Sequence, residues 1–149
     1  MELRSVDEVM DLLYACRGSW DSPGPPDGRA DLHQHALRTA ALLRRGRPAD
    51  KELQVAGLVH AIGPLLSPGA GHAHPDRAAD AVRALLGERV ARLVRSHHRA
   101  GPDSDDDLLR LRHADEESRH GGFDAGVLED WRTVLELVAD RNSCLGAVD

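Results

Sequence analysis

A chain of 149 residues with a formal charge of -6 and a pI near 5.8 has the length of one domain, able to bury roughly two-thirds of its unfolded surface around a single core. Its acidic balance excludes a nucleic-acid-binding surface, because neutralising phosphates needs a basic excess on at least one face. With 41% hydrophobic residues but only two Trp, one Tyr and one Phe, the core must be built mainly from Leu, Val and Ala, which points to packed helices.

Ser5 followed by Glu8 has capping-box spacing, and Val6, Val9, Met10 and Leu13 follow a helical stripe. A first helix of about eleven residues, ending near Gly18, is predicted. The start MELRSVDEVMDLL carries acidic residues, and no run approaches about 18 uninterrupted apolar residues. Neither a signal peptide nor a membrane span is expected, and the chain reads as cytoplasmic. The stretch WDSPGPPDGRA, Trp20 to Ala30, holds three prolines and two glycines, so it predicts a long loop able to act as a lid.

Asp31 caps a second helix in which Leu32, His35, Ala36, Thr39, Ala40 and Leu43 share one face until Gly46 and Pro48 stop it. His35 therefore points inward. Asp50 opens a third helix, with Leu53, Ala56, Gly57 and His60 on one side before Gly63 and Pro64 break the run, so His60 sits at an inward-facing helix end. After SPGAGHAHPD, a fourth helix runs from Pro75 to Leu86 and ends at Gly87. In ERVARLVRSHHRA, Val90, Leu93, Val94 and His97 recur at i, i+3, i+4 and i+7, so His97 continues the apolar face and His98 turns away. The segment DSDDDLLRLRHADEESR places Leu108, Leu111, Ala114 and Asp115 on one face. Val127 to Asn142 closes the chain with Leu128, Trp131, Val134, Leu135 and Val138 at helical spacing. The whole reads as one all-α domain over 1–149, a bundle of about six to seven helices. Cys16 and Cys144 form no C-x-x-C pair, so reduced thiols are the default.

His35, His60, His74, His97 and Asp115 thus stand on, or at the end of, faces that helices bury. So many buried polar groups are costly without partners. Any one of them alone is more simply a histidine satisfied by a backbone carbonyl or a surface residue. Imidazoles and a carboxylate converging from several helices, however, are what a transition metal takes as ligands in a helical core. His33, His72, His98, His113 and His120 lie off the stripe or in loops and read as solvated. His72 competes with His74 within GHAH, and His74 is preferred.

In this order the residues resemble the HD-domain superfamily, an all-α fold of metal-dependent phosphohydrolases and related oxygenases. The resemblance covers about residues 31–138. HQHALRTAALL (His33 to Leu43) is similar to the first histidine segment of that family and LQVAGLVHAIGPLL (Leu53 to Leu66) to its His-Asp segment. HPDRAADAVRALLGERVARLVRSHH (His74 to His98) and LRLRHADEES (Leu109 to Ser118) are similar to its later histidine segments and closing aspartate. The extra pair His74 and His97 is similar to the subgroup of phosphonate-cleaving HD oxygenases and, more remotely, myo-inositol oxygenase. There a mixed-valent di-iron centre activates O2 to cleave a small hydroxylated substrate. The resemblance implies two iron ions, one held by His35, His60 and Asp115, the other by His74 and His97.

The pattern breaks at Ala61, where the family has its bridging aspartate directly after the histidine. Loss of that carboxylate removes a ligand from each metal. A designed inactivating change, a natural degenerate member, or recruitment of Asp76 or Asp115 would each account for it; an inactivated or degenerate oxygenase-like protein with one iron or none fits the intact surroundings. The Tyr and Glu that the phosphonate oxygenases carry before the first histidine are also absent, so phosphonate itself is not implied. If an anionic small-molecule substrate enters, Arg95, His98 and Arg99, with Arg38 and Arg77, are the available cations. Two other readings are a metal-dependent phosphohydrolase, in which a metal-activated water attacks a phosphoester, and a non-catalytic module that binds a small molecule or partner.

Overall fold

The computed structural model describes residues 2–18, 31–66, 74–119 and 125–147. The expected lid over 20–30, His72 and His120 lie outside the described residues, as do the side chains of His74 and Cys144. Among the described residues there are eight α-helices and two 3-10 turns, and no strand. In chain order these are α1 (Val6–Ala15), α2 (Leu32–Gly46), α3 (Lys51–Val59), α4 (Gly63–Leu66), α5 (His74–Leu86), α6 (Glu88–Ser96), a 3-10 turn His97–Arg99, α7 (Asp106–Ser118), a second 3-10 turn Leu128–Trp131, and α8 (Arg132–Ala147). The all-α expectation holds.

The helix starts follow from their caps. Ser5 accepts from the Glu8 amide, Asp31 from Gln34, Asp50 from Leu53 and Asp105 from Leu108. Each thereby satisfies one of the amides that the first turn of a helix leaves without an intrahelical partner. At α6, by contrast, Gly87 takes the cap position with φ 99 and no side-chain cap. A left-handed φ of this kind suits glycine, and it lets α5 and α6 fold back on each other across a single residue.

The central element is α3. The pattern of one apolar side understates it, because Leu53 through Val59 are all buried, and a helix covered on every side belongs inside. It packs against α2, α6, α7 and α8. Its closest approach is at Gly57, where an added Cβ would lie 2.5 Å from Leu43 Cδ1, 3.3 Å from Thr39 Cγ2 and 3.5 Å from the Ala40 Cα. Lack of a side chain at Gly57 therefore sets how near α3 comes to α2, and these are the helices that carry His60 and His35. As expected from the scarcity of aromatics, Leu, Val and Ala dominate the core, with Trp131 the buried aromatic under Arg44, whose guanidinium lies 4.7 Å from the ring centroid.

Two expectations need correction. Gly63 and Pro64 do not simply end a helix: they open the short α4, since proline is well suited to a first helical turn. His33 is not solvated. It is 5% exposed and bonds through Nδ1 to the Leu13 carbonyl at 2.7 Å, so it ties α1 to α2 and stacks on Tyr14. His98 and His113 are exposed, as read from the pattern. Cys16 is a buried free thiol, its pKa pushed up to about 12 by burial and by the nearby Asp31. That leaves it unreactive. No described helix is long and apolar enough to cross a membrane.

At the end of the bundle formed by the starts of α3, α6 and α7, Arg89 grips both oxygens of Asp50 at 2.7 and 2.8 Å, Asp107 at 2.9 Å and Glu52 at 3.2 Å. The hydrogen bonds from Arg89 hold the Asp50 carboxyl below the usual range, against the opposing effect of its partial burial. On the other side, Asn142 of α8 donates to the last carbonyls of α5, Ala84 at 2.8 Å and Leu85 at 3.2 Å. This supplies partners that a helix C-terminus lacks internally.

Candidate metal centre

Three helices deliver one cluster. His35 lies on α2, His60 is the residue at which α3 ends, and Asp115 lies on α7. His35 Nε2 is 2.7 Å from Asp115 Oδ1 and 3.1 Å from His60 Nε2, and His60 Nε2 is 3.0 Å from the same Oδ1. His97, in the 3-10 turn that continues α6, turns its edge to His60 with ring centroids 5.2 Å apart. Its Nε2 lies 3.9 Å from the other carboxylate oxygen, Oδ2. The three histidines are 5%, 8% and 4% exposed and the Asp115 side chain 15%, so this is a nearly dry site.

Proton placement decides what the cluster can hold. His60 Nδ1 faces the Gly57 carbonyl at 2.5 Å and His97 Nδ1 faces the Val94 carbonyl at 2.9 Å. A carbonyl only accepts, so both Nδ1 atoms donate, and in a neutral ring the other nitrogen then carries a lone pair. Burial pushes His97 down to about 4, with the neighbouring His60 adding to the effect. Burial also lowers His35, against the hydrogen bond to Asp115. For Asp115, burial alone would raise the carboxyl, but hydrogen bonds and charge from His35 and His60 hold it far below the usual carboxylate range. The His60 Nε2 lone pair and the ionised Asp115 oxygen, 3.0 Å apart, repel one another unless positive charge lies between them, either a ring proton or a metal ion.

The spacing suits an ion. Ligands 90° apart at about 2.1 Å from a metal are about 3.0 Å from each other, against about 3.4 Å in a tetrahedron. The observed separations of 2.7, 3.0 and 3.1 Å are nearer to the first. Among the described residues, His35, His60 and Asp115 are the group whose ligand atoms all lie within 4.8 Å of one another. They form a possible His/Asp metal site.

The inward placement read for His35, His60, His97 and Asp115 agrees with this geometry. His74 opens α5, and its side chain lies outside the described residues. Ala61 occupies the turn between α3 and α4, half-buried against the core, and offers no ligand atom. Arg95 is already engaged, with Asp80 at 2.6 Å and Asp76 at 3.5 Å. His98 is exposed and meets His97 edge-on at 5.9 Å between centroids, and Arg99 is exposed. A cation that the pattern did not single out stands closer: Arg119 Nη2 is 3.5 Å from Asp115 Oδ1, one helical turn on. Ser118 was missed too. Its signal was its i+3 position after Asp115, which puts it on the same face of α7.

Compared with protein-family models and with curated proteins, the chain has no significant match.

Proposed function

We propose that this chain is a metal-binding helical domain of the HD type, in which His35, His60 and Asp115 hold one divalent transition-metal ion. The observation that carries this reading is the convergence of His35 Nε2 and His60 Nε2, the latter left with its lone pair by the Nδ1 bond to the Gly57 carbonyl, on one oxygen of an ionised Asp115. Two imidazoles and one carboxylate at mutually near-perpendicular positions suit non-haem iron(II), so iron is the ion proposed. Held there, iron supplies Lewis acidity and one-electron redox chemistry. The chain's own residues set the conditions: Asp115 offsets the ion's charge, while Gly57 and Val94 carbonyls orient His60 and His97. Arg119 extends positive charge beside the carboxylate, which favours a small anionic or hydroxylated substrate.

The oxygenase reading needs a second iron. His97 Nε2 near Asp115 Oδ2 is one donor on that side, and His74 is proposed as the other. Ala61 withholds the bridging carboxylate, so this chain is proposed to hold one iron or none and to be impaired in O2-dependent cleavage. Ala61 is also the observation that favours a second reading, a non-catalytic binding module on the same scaffold.

The test is metal content by plasma mass spectrometry on freshly purified, chelator-free protein, for this chain and for Ala61→Asp, followed by O2 uptake and phosphoester hydrolysis assays. About two irons in the Asp form, about one or none in this chain, and O2 uptake on restoration are expected. Phosphoester hydrolysis without O2 demand would move the reading to a phosphohydrolase. Absence of metal from both forms would refute the centre.

A further inference from the structure

His35 differs from the other two histidines in what holds its ring. His60 and His97 donate from Nδ1 to carbonyls, which leaves no choice of proton position. His35 Nδ1 faces instead the hydroxyl of Ser118 at 2.9 Å, and a hydroxyl can donate or accept. Geometry at this one contact therefore does not choose the tautomer.

Ser118 and Thr39 are both fully buried, at 0% exposure. Their oxygens make a closed set of contacts. Ser118 Oγ is 2.9 Å from His35 Nδ1, 2.8 Å from the Asp115 main-chain carbonyl and 2.9 Å from Thr39 Oγ1. Thr39 Oγ1 is 2.8 Å from the His35 main-chain carbonyl. The two carbonyls only accept. If His35 Nδ1 carried no proton, two hydroxyl protons would have to serve these four contacts, leaving two of them as lone pair against lone pair. A proton on Nδ1 gives three protons for the same four, and unmatched buried polar pairs are what folded proteins avoid. Without an ion the ring's one proton could equally sit on Nε2 and donate to Asp115 Oδ1; an ion on Nε2 excludes that, and Nδ1–H donating to Ser118 is then the tautomer that remains.

We infer that Ser118, backed by Thr39, is the positioning residue of the metal centre: Ser118 accepts the Nδ1 proton that a neutral, metal-bound His35 must carry, and so holds Nε2 toward the ion. The inference rests on the metal-binding reading above. The pair reaches both ligand-bearing helices, since Ser118 follows Asp115 by three residues on α7 and Thr39 follows His35 by four on α2. One hydroxyl contact therefore registers the carboxylate helix against the imidazole helix as well as setting the ring.

The experiment is calorimetric titration of chelator-treated protein with Zn2+, for the unaltered chain, Ser118→Ala, Thr39→Val and Thr39→Ser. It is paired with long-range 1H–15N spectra of the histidine rings in the zinc-loaded forms. Removing a hydrogen-bond partner of a ligating histidine typically weakens metal binding about 10- to 100-fold, and that loss is expected in Ser118→Ala. Its His35 Nδ1 proton signal should also lose protection from exchange. Thr39→Val should weaken binding in the same direction, and Thr39→Ser, which keeps the hydroxyl, should restore it. A merely structural role for the pair would lower the melting point and leave the affinity and the Nδ1 proton's exchange protection alone. Unchanged zinc affinity and Nδ1 exchange protection in Ser118→Ala would overturn the positioning role while the metal centre stands. Failure of the unaltered chain to bind zinc would overturn the metal centre, and the positioning role with it. Should Ser118→Ala not fold, the contrast between Thr39→Val and Thr39→Ser decides.

Discussion

Asp115→Asn tests the centre with little change of shape. It removes the carboxylate that lies 2.7 and 3.0 Å from two imidazole nitrogens and substitutes an amide that can donate to one of them. In the metal-free protein the variant is expected to fold, because the amide replaces the repulsion between an oxygen anion and a lone pair with a hydrogen bond. In the presence of metal the two proteins should diverge. An ion at about 100 times its Kd stabilises the fold by about 2.7 kcal/mol, and at this chain length each kcal/mol moves the melting point by about 2–4 °C. The unaltered chain should therefore gain about 5–11 °C on adding metal. Losing a charged direct ligand should cost at least the 100-fold at the upper end for indirect partners. The same metal concentration then equals the variant's Kd and yields about 0.4 kcal/mol, a rise of about 1–2 °C. Scanning fluorimetry on chelator-treated samples, with and without Zn2+ or anaerobic Fe2+, reads both. A rise in Asp115→Asn equal to that of the unaltered chain would show that the carboxylate is no ligand.

Three further outcomes are expected. His35 and His97 are held below their ordinary value of 6.5, His97 at about 4, so on acidification the unfolded chain takes up protons first. The metal-free fold should lose up to roughly 1.4 kcal/mol per pH unit for each ring below pH 6.5, down to about 4 for His97; Asp50 and Asp115, held low, add further loss only below the usual carboxylate range. Urea melts between pH 7 and 4 measure this, and a flat profile would contradict the buried neutral histidines. Arg89→Met should destabilise by about 1–3 kcal/mol, less than the penalty for a fully buried broken pair, because the acids left behind are 19–28% exposed. An unchanged urea midpoint would mean the network contributes nothing. Gly87→Ala should cost about 1–3 kcal/mol from its positive φ with extended ψ alone, and its Cβ would also meet Asn142 Oδ1 at 3.1 Å; a thermal melt as high as that of the parent would count against the strain argument.

Much of this arrangement is legible one residue at a time. Asp31, Asp50 and the i, i+3, i+4 stripes mark where helices begin and which sides they bury, because capping and amphipathicity are local. The inward placement of His35, His60, His97 and Asp115 follows from those stripes. Pairings between distant segments are not legible in this way. That His33 reaches the Leu13 carbonyl depends on how α1 lies across α2, and an off-stripe residue near a helix start can be covered by a neighbouring element. Burial of α3 on every side from Leu53 onward was hidden because its pattern has Gln54, Ala56 and Gly57 where bulky apolar residues would have shown it. Ser118 was hidden because a small hydroxyl is as common on a solvated face as beside a ligand. Only the fold brings it to His35, 83 residues away.

The cluster also bears on which parts of the chain can open independently. His35 and His60 are 25 residues apart, His60 and Asp115 are 55, and His35 and Asp115 are 80. An ion held by all three would close loops of those lengths and act as a cross-link, restricting the unfolded chain most across the longest interval. Outward fraying of α7 would then require a ligand to be released, so α2, α3 and α7 would exchange their amide hydrogens as one cooperative unit. With the ion stripped, α7 is free to exchange on its own schedule.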